Sequence, residues 1–245
     1  NNLLGLSLTI LNVPEKTKTV ILELGISEVG EMTQLTTLAK PDIAYVTNIH
    51  PCHLSGLKDE ATIAKEKSKI YQSLTKDGLA YINNLDDHVD QFIASSDHCQ
   101  QQLLHAANFE LVQASIKLDN RAHATFIMKL DGKAFTVSLQ MPGKHMVDNA
   151  YAVAVIAYGL GVSGDQIVSV LSNHHAASGR MQRYLHPQSR AHIIDDSYNA
   201  NPRAMEAAIA SLGAMECTQK ILVCGDMAEL GDKATYWHTK IGEWA

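Results

Sequence analysis

The octapeptide Asp195-Asp196-Ser197-Tyr198-Asn199-Ala200-Asn201-Pro202 gathers two carboxylates, two hydroxyls and two amides in one short stretch. Its donors and acceptors suit contact with a nucleotide. His192-Ile193-Ile194 ahead of it reads as a short buried strand, and residues 203–212 after Pro202 read as a helix. Strand, polar loop, helix is the arrangement at which open α/β sheets bind ligands.

Glu23 is a second chemical position, a carboxylate in the middle of the apolar run TVILELGI (19–26). Burying an unpaired charge costs several kcal/mol or more, so such a residue either pairs with a cation or binds a metal. Spacing does not choose between a salt bridge and a metal ligand. His53 lies just past the next apolar run, in Asn48-Ile49-His50-Pro51-Cys52-His53. Lys67 stands out by helical period: Ile63, Lys67, Ile70, Tyr71 and Leu74 form the inward stripe of an amphipathic helix, from which Lys65 and Lys69 point away. An inward lysine either snorkels to water or is a desolvated amine of lowered pKa, able to react with carbon dioxide. Asn149 shares a helix face with His145, Ala152, Val153, Ile156 and Leu160, where an amide can read an adenine edge or serve helix packing. Arg180, after Ser178-Gly179, has the planar fork for a phosphate or for a salt bridge. Gly225-Asp226-Met227-Ala228-Glu229-Leu230-Gly231 is a weaker signal, a tight turn after a strand.

The elements that must position these residues follow a strand–helix alternation. Residues 19–26 and 43–49 read as strands buried on both faces of a parallel sheet, 59–74 as a helix ended by Lys76-Asp77-Gly78, and 79–83 as the next strand. Residues 109–118, 124–130 and 134–141 are strand-like, and Asp131-Gly132 between the last two is a two-residue hairpin signal. An antiparallel insert beside a parallel sheet is expected. Helices follow over 144–160, ended by Gly161, and over 164–173; residues 177–180 and 187–189 read as a connector. Strands at 192–195 and 220–224 around the 202–212 helix predict a βαβα start of Rossmann type. The fold class is therefore α/β: a mostly parallel sheet domain with an antiparallel insert over residues 1–187, then the start of a Rossmann-like domain over 188–245.

At 245 residues, 46% hydrophobic and 19% charged, the composition is that of an ordinary globular chain with room for two domains. A net charge of -6 without clustered Lys and Arg argues against a nucleic-acid surface. The cysteines Cys52, Cys99, Cys217 and Cys224 form no CxxC pair and no disulfide framework, which fits a reducing cytoplasm. No apolar run approaches the roughly 20 residues needed to cross a bilayer. The chain has no initiator Met and stops inside a helical pattern, so it is expected to be an internal piece of a longer protein.

Together these segments resemble the Mur ligase family over nearly the whole chain. ILELG (21–25), KPDIAYVTNI with the following His53, AKEKSKIY, PGKHMVDNAYA, SGRMQ, DDSYNANP and LVCGDMAELG occur in the family's order and spacing. The resemblance implies ATP-dependent amide-bond formation through an acyl phosphate, with UDP-N-acetylmuramoyl-tripeptide and D-alanyl-D-alanine as substrates, in a cytoplasmic monomer. It implies that Glu23 and His53 hold Mg²⁺, that Lys67 is carbamylated and helps bind a second Mg²⁺, and that Lys67 and Arg180 serve catalysis. It also implies that Asn149 faces adenine, Arg180 meets the ATP phosphates, Asp196 meets the ribose, and Asn199 and Asn201 line the same cleft. As a hard ion, Mg²⁺ suits a carboxylate and a carbamate better than an imidazole. No G-x-x-x-x-G-K-[ST] phosphate loop occurs in these residues, Met146 stands where the family usually has Asn, and His50 and Cys52 replace small residues. The alternatives are a sibling ligase or a folylpolyglutamate synthase, and a nucleotide-binding module without activity.

Overall fold

The computed structural model describes residues 2–245, which form two compact units. One runs to Leu103 and takes in Glu229–Asp232; the other holds Leu104–Ala228 and Lys233–Ala245.

In the first unit, α1 (Leu3–Leu11) and α2 (Glu31–Ala39) precede β1 (Ile43–Tyr45), then come α3 (Leu54–Leu57), α4 (Glu60–Gln72), β2 (Leu79–Ile82), α5 (Val89–Ser95) and β3 (Gln100–Leu103). The strands pair in parallel in the order β1-β2-β3, with Ile43 opposite Leu79 and Leu79 opposite Gln100. Ala80, Tyr81 and Ile82 of the central strand are buried in succession, as a parallel strand covered on both faces requires. Helix α4 begins where Asp59 accepts the amide of Thr62 at 2.8 Å, and it buries Ile63, Ala64 and Tyr71 against the sheet. Tyr71, fully buried, donates its hydroxyl to the Tyr81 carbonyl (2.8 Å) and accepts the Val46 amide (3.0 Å). One phenol thereby bridges β1 and β2 just past the last paired residue of β1.

The turn before α2 is organised by two carboxylates. Glu31 accepts the amides of Ser27 (2.6 Å) and Glu28 (3.0 Å), while the buried Glu66 on α4 accepts the amide of Gly30 (2.8 Å) and pairs with Lys69. Gly30 sits at φ 97°, a backbone state that favours glycine.

Residues 19–26 depart from the strand expectation. They carry no ladder pairing, and burial alternates: Leu22 and Leu24 are half-buried and Ile26 buried, but Ile21 is 91% exposed and Glu23 is exposed. The segment is covered on one face only, and none of the described strands pairs with it.

The second unit opens with β4 (Phe109–Leu118), β5 (His123–Leu130) and β6 (Lys133–Pro142), an antiparallel meander that matches the expected insert. Asp131 (φ 50°) and Gly132 (φ 75°) make the two-residue turn, with Leu130 opposite Lys133. Along β5, Ala124, Phe126, Met128 and Leu130 are fully buried and their neighbours are not, the period-two pattern of a one-faced sheet. Helices α6 (His145–Gly159) and α7 (Gly164–Asn173) pack on this sheet, and a Ser163–Gln166 capping box starts α7.

The buried face of α6 is Val147, Ala150, Tyr151, Ala154 and Val155, not the stripe through His145, Asn149, Val153 and Leu160, which faces solvent except at buried Ala152 and half-buried Ile156. The helix is apolar nearly all round, so periodicity alone could not choose the face.

Beyond α7, β7 (Gln182–Leu185) pairs antiparallel with β8 (His192–Asp195), then follow α8 (Pro202–Ala214) and α9 (Ala234–Trp244). Residues 182–185, between the two stretches read as connector, form β7, an element that the sequence reading did not assign. Residues 220–224 are not a strand either: no ladder forms there and Val223 is 90% exposed. A run of Ile, Leu and Val can be a strand only where another strand offers it hydrogen bonds, and none of the described ones does.

Tyr71→Phe should lower stability by about 1–3 kcal/mol, because it leaves the buried Val46 amide and Tyr81 carbonyl without their shared partner; urea unfolding checks this. Glu31→Gln should cost about 1 kcal/mol near neutrality. The Ser27 amide first, then that of Glu28, holds the Glu31 carboxyl below its usual range. A lowered folded-state pKa gives stability that is full above the unfolded value and fades as pH falls through the folded one. The two unfolding curves should therefore converge in acid.

Candidate functional site

The octapeptide loop is held as a clasp within the second unit. Asp195 accepts the Ser197 amide (3.0 Å), Asp196 accepts the Met181 amide (3.0 Å), and Tyr198 donates its amide to the Gly179 carbonyl (3.0 Å). Gly179 is buried at φ 69°, and a Cβ there would lie 3.2 Å from both N and Cβ of Tyr198. The sequence thus needs glycine at this position for close approach and for backbone conformation. The Arg180 guanidinium carbon sits 4.2 Å from the centre of the Tyr198 ring. Both residues are exposed, so this cation–π contact contributes about 0.5–1 kcal/mol and leaves the guanidinium hydrogens open to a ligand. Asn201 caps α8 by accepting the Ala204 amide at 2.9 Å, with Pro202 in the first turn. Asn199, exposed, accepts the Ala200 amide at 2.8 Å.

A titratable cluster lies beside this clasp, at the start of α6. Gly143, at φ 108°, allows the His145 ring to lie over it: a Cβ would fall 2.4 Å from the His145 Cε1. Desolvation lowers the His145 pKa, opposed by Asp196 and then Asp148. It raises that of Asp148, opposed by His105, Lys144 and His145. Asp196 is also raised, mainly by desolvation, with the Met181 amide, His145 and Arg180 acting the other way. Asn149 is exposed one turn beyond His145 on the same open face. The cluster can accept and donate toward a polar ligand. The signal for it was present in Gly143-Lys144-His145-Met146-Val147-Asp148, where neither His145 nor Asp148 was read as a site residue.

In the first unit, Lys67 is half-buried and donates Nζ to the Asn48 carbonyl at 2.9 Å. Its pKa is lowered, chiefly by desolvation, with Cys52 and Asp86 opposing. Burial pushes the Cys52 thiol up, and Lys67 counters it. The inward lysine is therefore a desolvated amine that also reaches a carbonyl. His53, at φ 50°, pairs through Nδ1 with the Glu229 carboxylate. The segment that follows Glu23 abuts α3, the helix that follows His53, since a Cβ on Gly56 would lie 2.2 Å from the Ser27 carbonyl oxygen.

Glu23 is exposed rather than buried, which removes the burial argument for it. Among the described residues no group of three or more His, Cys, Asp and Glu side chains could hold a metal ion. Glu66 and Glu229 were missed in the sequence. Glu66 lay one residue from the lysine that drew attention, and Glu229 had no partner until the chain folded.

No helix among the described residues is long and apolar enough to cross a membrane, and all four cysteines are free. Comparison with known proteins is consistent across sequence and structure. Residues 1–157 match the Mur ligase middle domain and residues 179–245 the Mur ligase glutamate ligase domain. UDP-N-acetylmuramoyl-tripeptide--D-alanyl-D-alanine ligase of Escherichia coli (strain K12) is 32% identical over 99% of this chain and 54% of its own length. The protein of the same name from Bacillus subtilis (strain 168) is 33% identical over 99% of this chain and 52% of its own. The crystal structure of MurF from Acinetobacter baumannii superposes with a TM-score of 0.91 at 29% identity, covering 100% of this chain and 53% of that one. The chain spans about half the length of the curated relatives it matches. With more than half its residues inside the middle-domain match and both units carrying the motif geometry described above, the chain belongs to the Mur ligase family.

Proposed function

We propose that the protein is an ATP-dependent, ADP-forming ligase that joins D-alanyl-D-alanine to UDP-N-acetylmuramoyl-tripeptide in the cytoplasm. The observation that carries this is the match of 32–33% identity over 99% of the chain to two ligases of that name. On this reading residues 1–187 are a central ATP-binding domain and 188–245 a C-terminal Rossmann-like one. The reaction begins when the tripeptide's terminal carboxylate attacks the γ-phosphorus of ATP, forming an acyl phosphate as the bond to ADP breaks. The amine of D-alanyl-D-alanine then attacks the acyl carbon, phosphate leaves with the C–O bonding pair, and the amine gives up a proton.

The chain's share is positioning and charge stabilisation, with no nucleophilic side chain. Arg180, oriented by Tyr198 and with its fork open, suits the ATP phosphates. Asp196, the exposed amide of Asn199 and the remaining amide hydrogens of Asn201 suit the ribose side of a nucleotide, and Asn149 suits the adenine edge. The desolvated Lys67 amine is the chemistry needed for carbamylation: neutral amine adds to carbon dioxide, and loss of a proton leaves an anion where a cation was poorly solvated. That carbamate and the Glu23 carboxylate fit Mg²⁺, which takes one or two carboxylates and fills its remaining positions with phosphate oxygens and water. His53 would add its remaining ring nitrogen. The ion would supply charge neutralisation on the transferring phosphoryl group.

In the full-length protein, phosphate release from ATP should require both UDP-N-acetylmuramoyl-tripeptide and D-alanyl-D-alanine; release with folate and glutamate instead would overturn the assignment. Lys67→Ala should reduce turnover about a hundredfold or more, with partial recovery on adding a short carboxylate. Full activity in that variant would make Lys67 only a ligand of the Asn48 carbonyl.

A further inference from the structure

The sequence Gly225-Asp226-Met227-Ala228-Glu229-Leu230-Gly231 first read as a tight turn, yet it places a carboxylate against His53. The contact is built from main chain as well as side chain. The Glu229 carbonyl accepts the Ser55 amide at 3.2 Å, and a Cβ on Gly231 would stand at van der Waals distance from Ser55. His53 (φ 50°) and Glu229 (φ 61°) both occupy the left-handed backbone region that non-glycine residues seldom adopt. Two such residues facing each other mark a local arrangement imposed by the surrounding fold.

Two carboxylates act on His53: Glu229, with which its ring pairs, and Glu31, whose carboxyl it helps to hold below the usual range. His53 is the residue before α3, and its carbonyl accepts the amides of Gly56 (3.0 Å) and Leu57 (2.9 Å), but its side chain makes no capping hydrogen bond. Its orientation comes instead from Glu229. An ionised carboxylate can only accept, so Nδ1 must carry the hydrogen that it donates to Glu229 Oε2. In the neutral ring that leaves the lone pair on Nε2. The side chains are 34% and 52% exposed, so the pair stays near solvent and the opposite ring edge is reachable.

We infer that Glu229 is a positioning residue that fixes His53 in the Nδ1–H tautomer and so leaves the Nε2 lone pair as an acceptor for a divalent cation. A carboxylate behind a histidine does this at metal centres, where it orients the ring and raises its basicity. The cation part rests on the reading of His53 under Proposed function; the tautomer part does not.

The first measurement is ¹⁵N NMR of the His53 imidazole in the 245-residue chain, at a pH where the ring is neutral. The wild type should show Nδ1 protonated. Glu229→Ala should shift His53 toward the Nε2–H form that free histidine favours in water, and Glu229→Gln, whose amide oxygen still accepts, should restore Nδ1–H. An Nε2–H ring in the wild type overturns the inference, even if the alanine variant fails to fold. So does an unchanged tautomer in folded Glu229→Ala.

The second measurement is the Mg²⁺ concentration for half-maximal phosphate release by the full-length protein, which should rise about tenfold or more in Glu229→Ala. A changed tautomer with unchanged Mg²⁺ dependence supports the positioning role and overturns His53 as a cation ligand. An unchanged tautomer with altered Mg²⁺ dependence overturns the positioning role.

Discussion

The bridge made by Tyr71 sets the geometry on which the lysine site of the first unit depends. Its hydroxyl takes the Val46 amide and gives its hydrogen to the Tyr81 carbonyl. One turn earlier on the same face of α4, Lys67 reaches the carbonyl of Asn48, two residues beyond Val46. A helical turn rises about 5.4 Å and two residues of extended chain cover about 6.6 Å, so a helix laid along a strand end can meet alternate residues with side chains four apart. Displacing Tyr71 would move the acceptor that holds Lys67. The site is therefore an extension of the core, and the lysine's loss of hydration follows from the same packing that buries Tyr71.

Around that axis, carboxylates do most of the local construction. Glu31 and Glu66 shape the turn after Glu23, and Glu229 takes the ring of His53. Each accepts from backbone or ring N–H groups, which an anion does more strongly than a neutral acceptor. Bringing the segment after Glu23 against α3 also requires Gly56, whose missing Cβ leaves room for the Ser27 carbonyl. The second unit uses a related device. Gly179 closes against Tyr198, and this proximity puts the Arg180 fork over the Tyr198 ring while Asp196 holds the neighbouring Met181 amide. Anchored loops of this kind present polar groups without the ordering cost that a free loop would meet on binding a ligand.

Much of the fold was legible because its signals are local. Helix α4 was marked by its inward stripe and the Lys76-Asp77-Gly78 stop, α7 by its boundaries, and the β5–β6 hairpin by Asp131-Gly132 between alternating strands. The inward lysine was likewise visible before the structure. Two apolar runs misled, residues 19–26 and 220–224, because apolar character shows only that a segment could be buried in a sheet. Ladder formation depends on a second strand, which local composition does not specify. Short β7 escaped notice for the converse reason: four residues of mixed polarity become a strand by pairing with β8.

The chemistry divides along the same line. The amino-acid sequence by itself determined which residue types were available, which helices and hairpin would form, and that the motifs follow the order of the Mur ligases. Those properties depend on short-range spacing and on the identity of single side chains. Only the tertiary structure decided that α6 turns His145 and Asn149 to solvent, that Glu23 is exposed, and that Glu229 meets a histidine 176 residues earlier. Desolvation and ion pairing are properties of neighbours in space, and a chain acquires those neighbours when it folds.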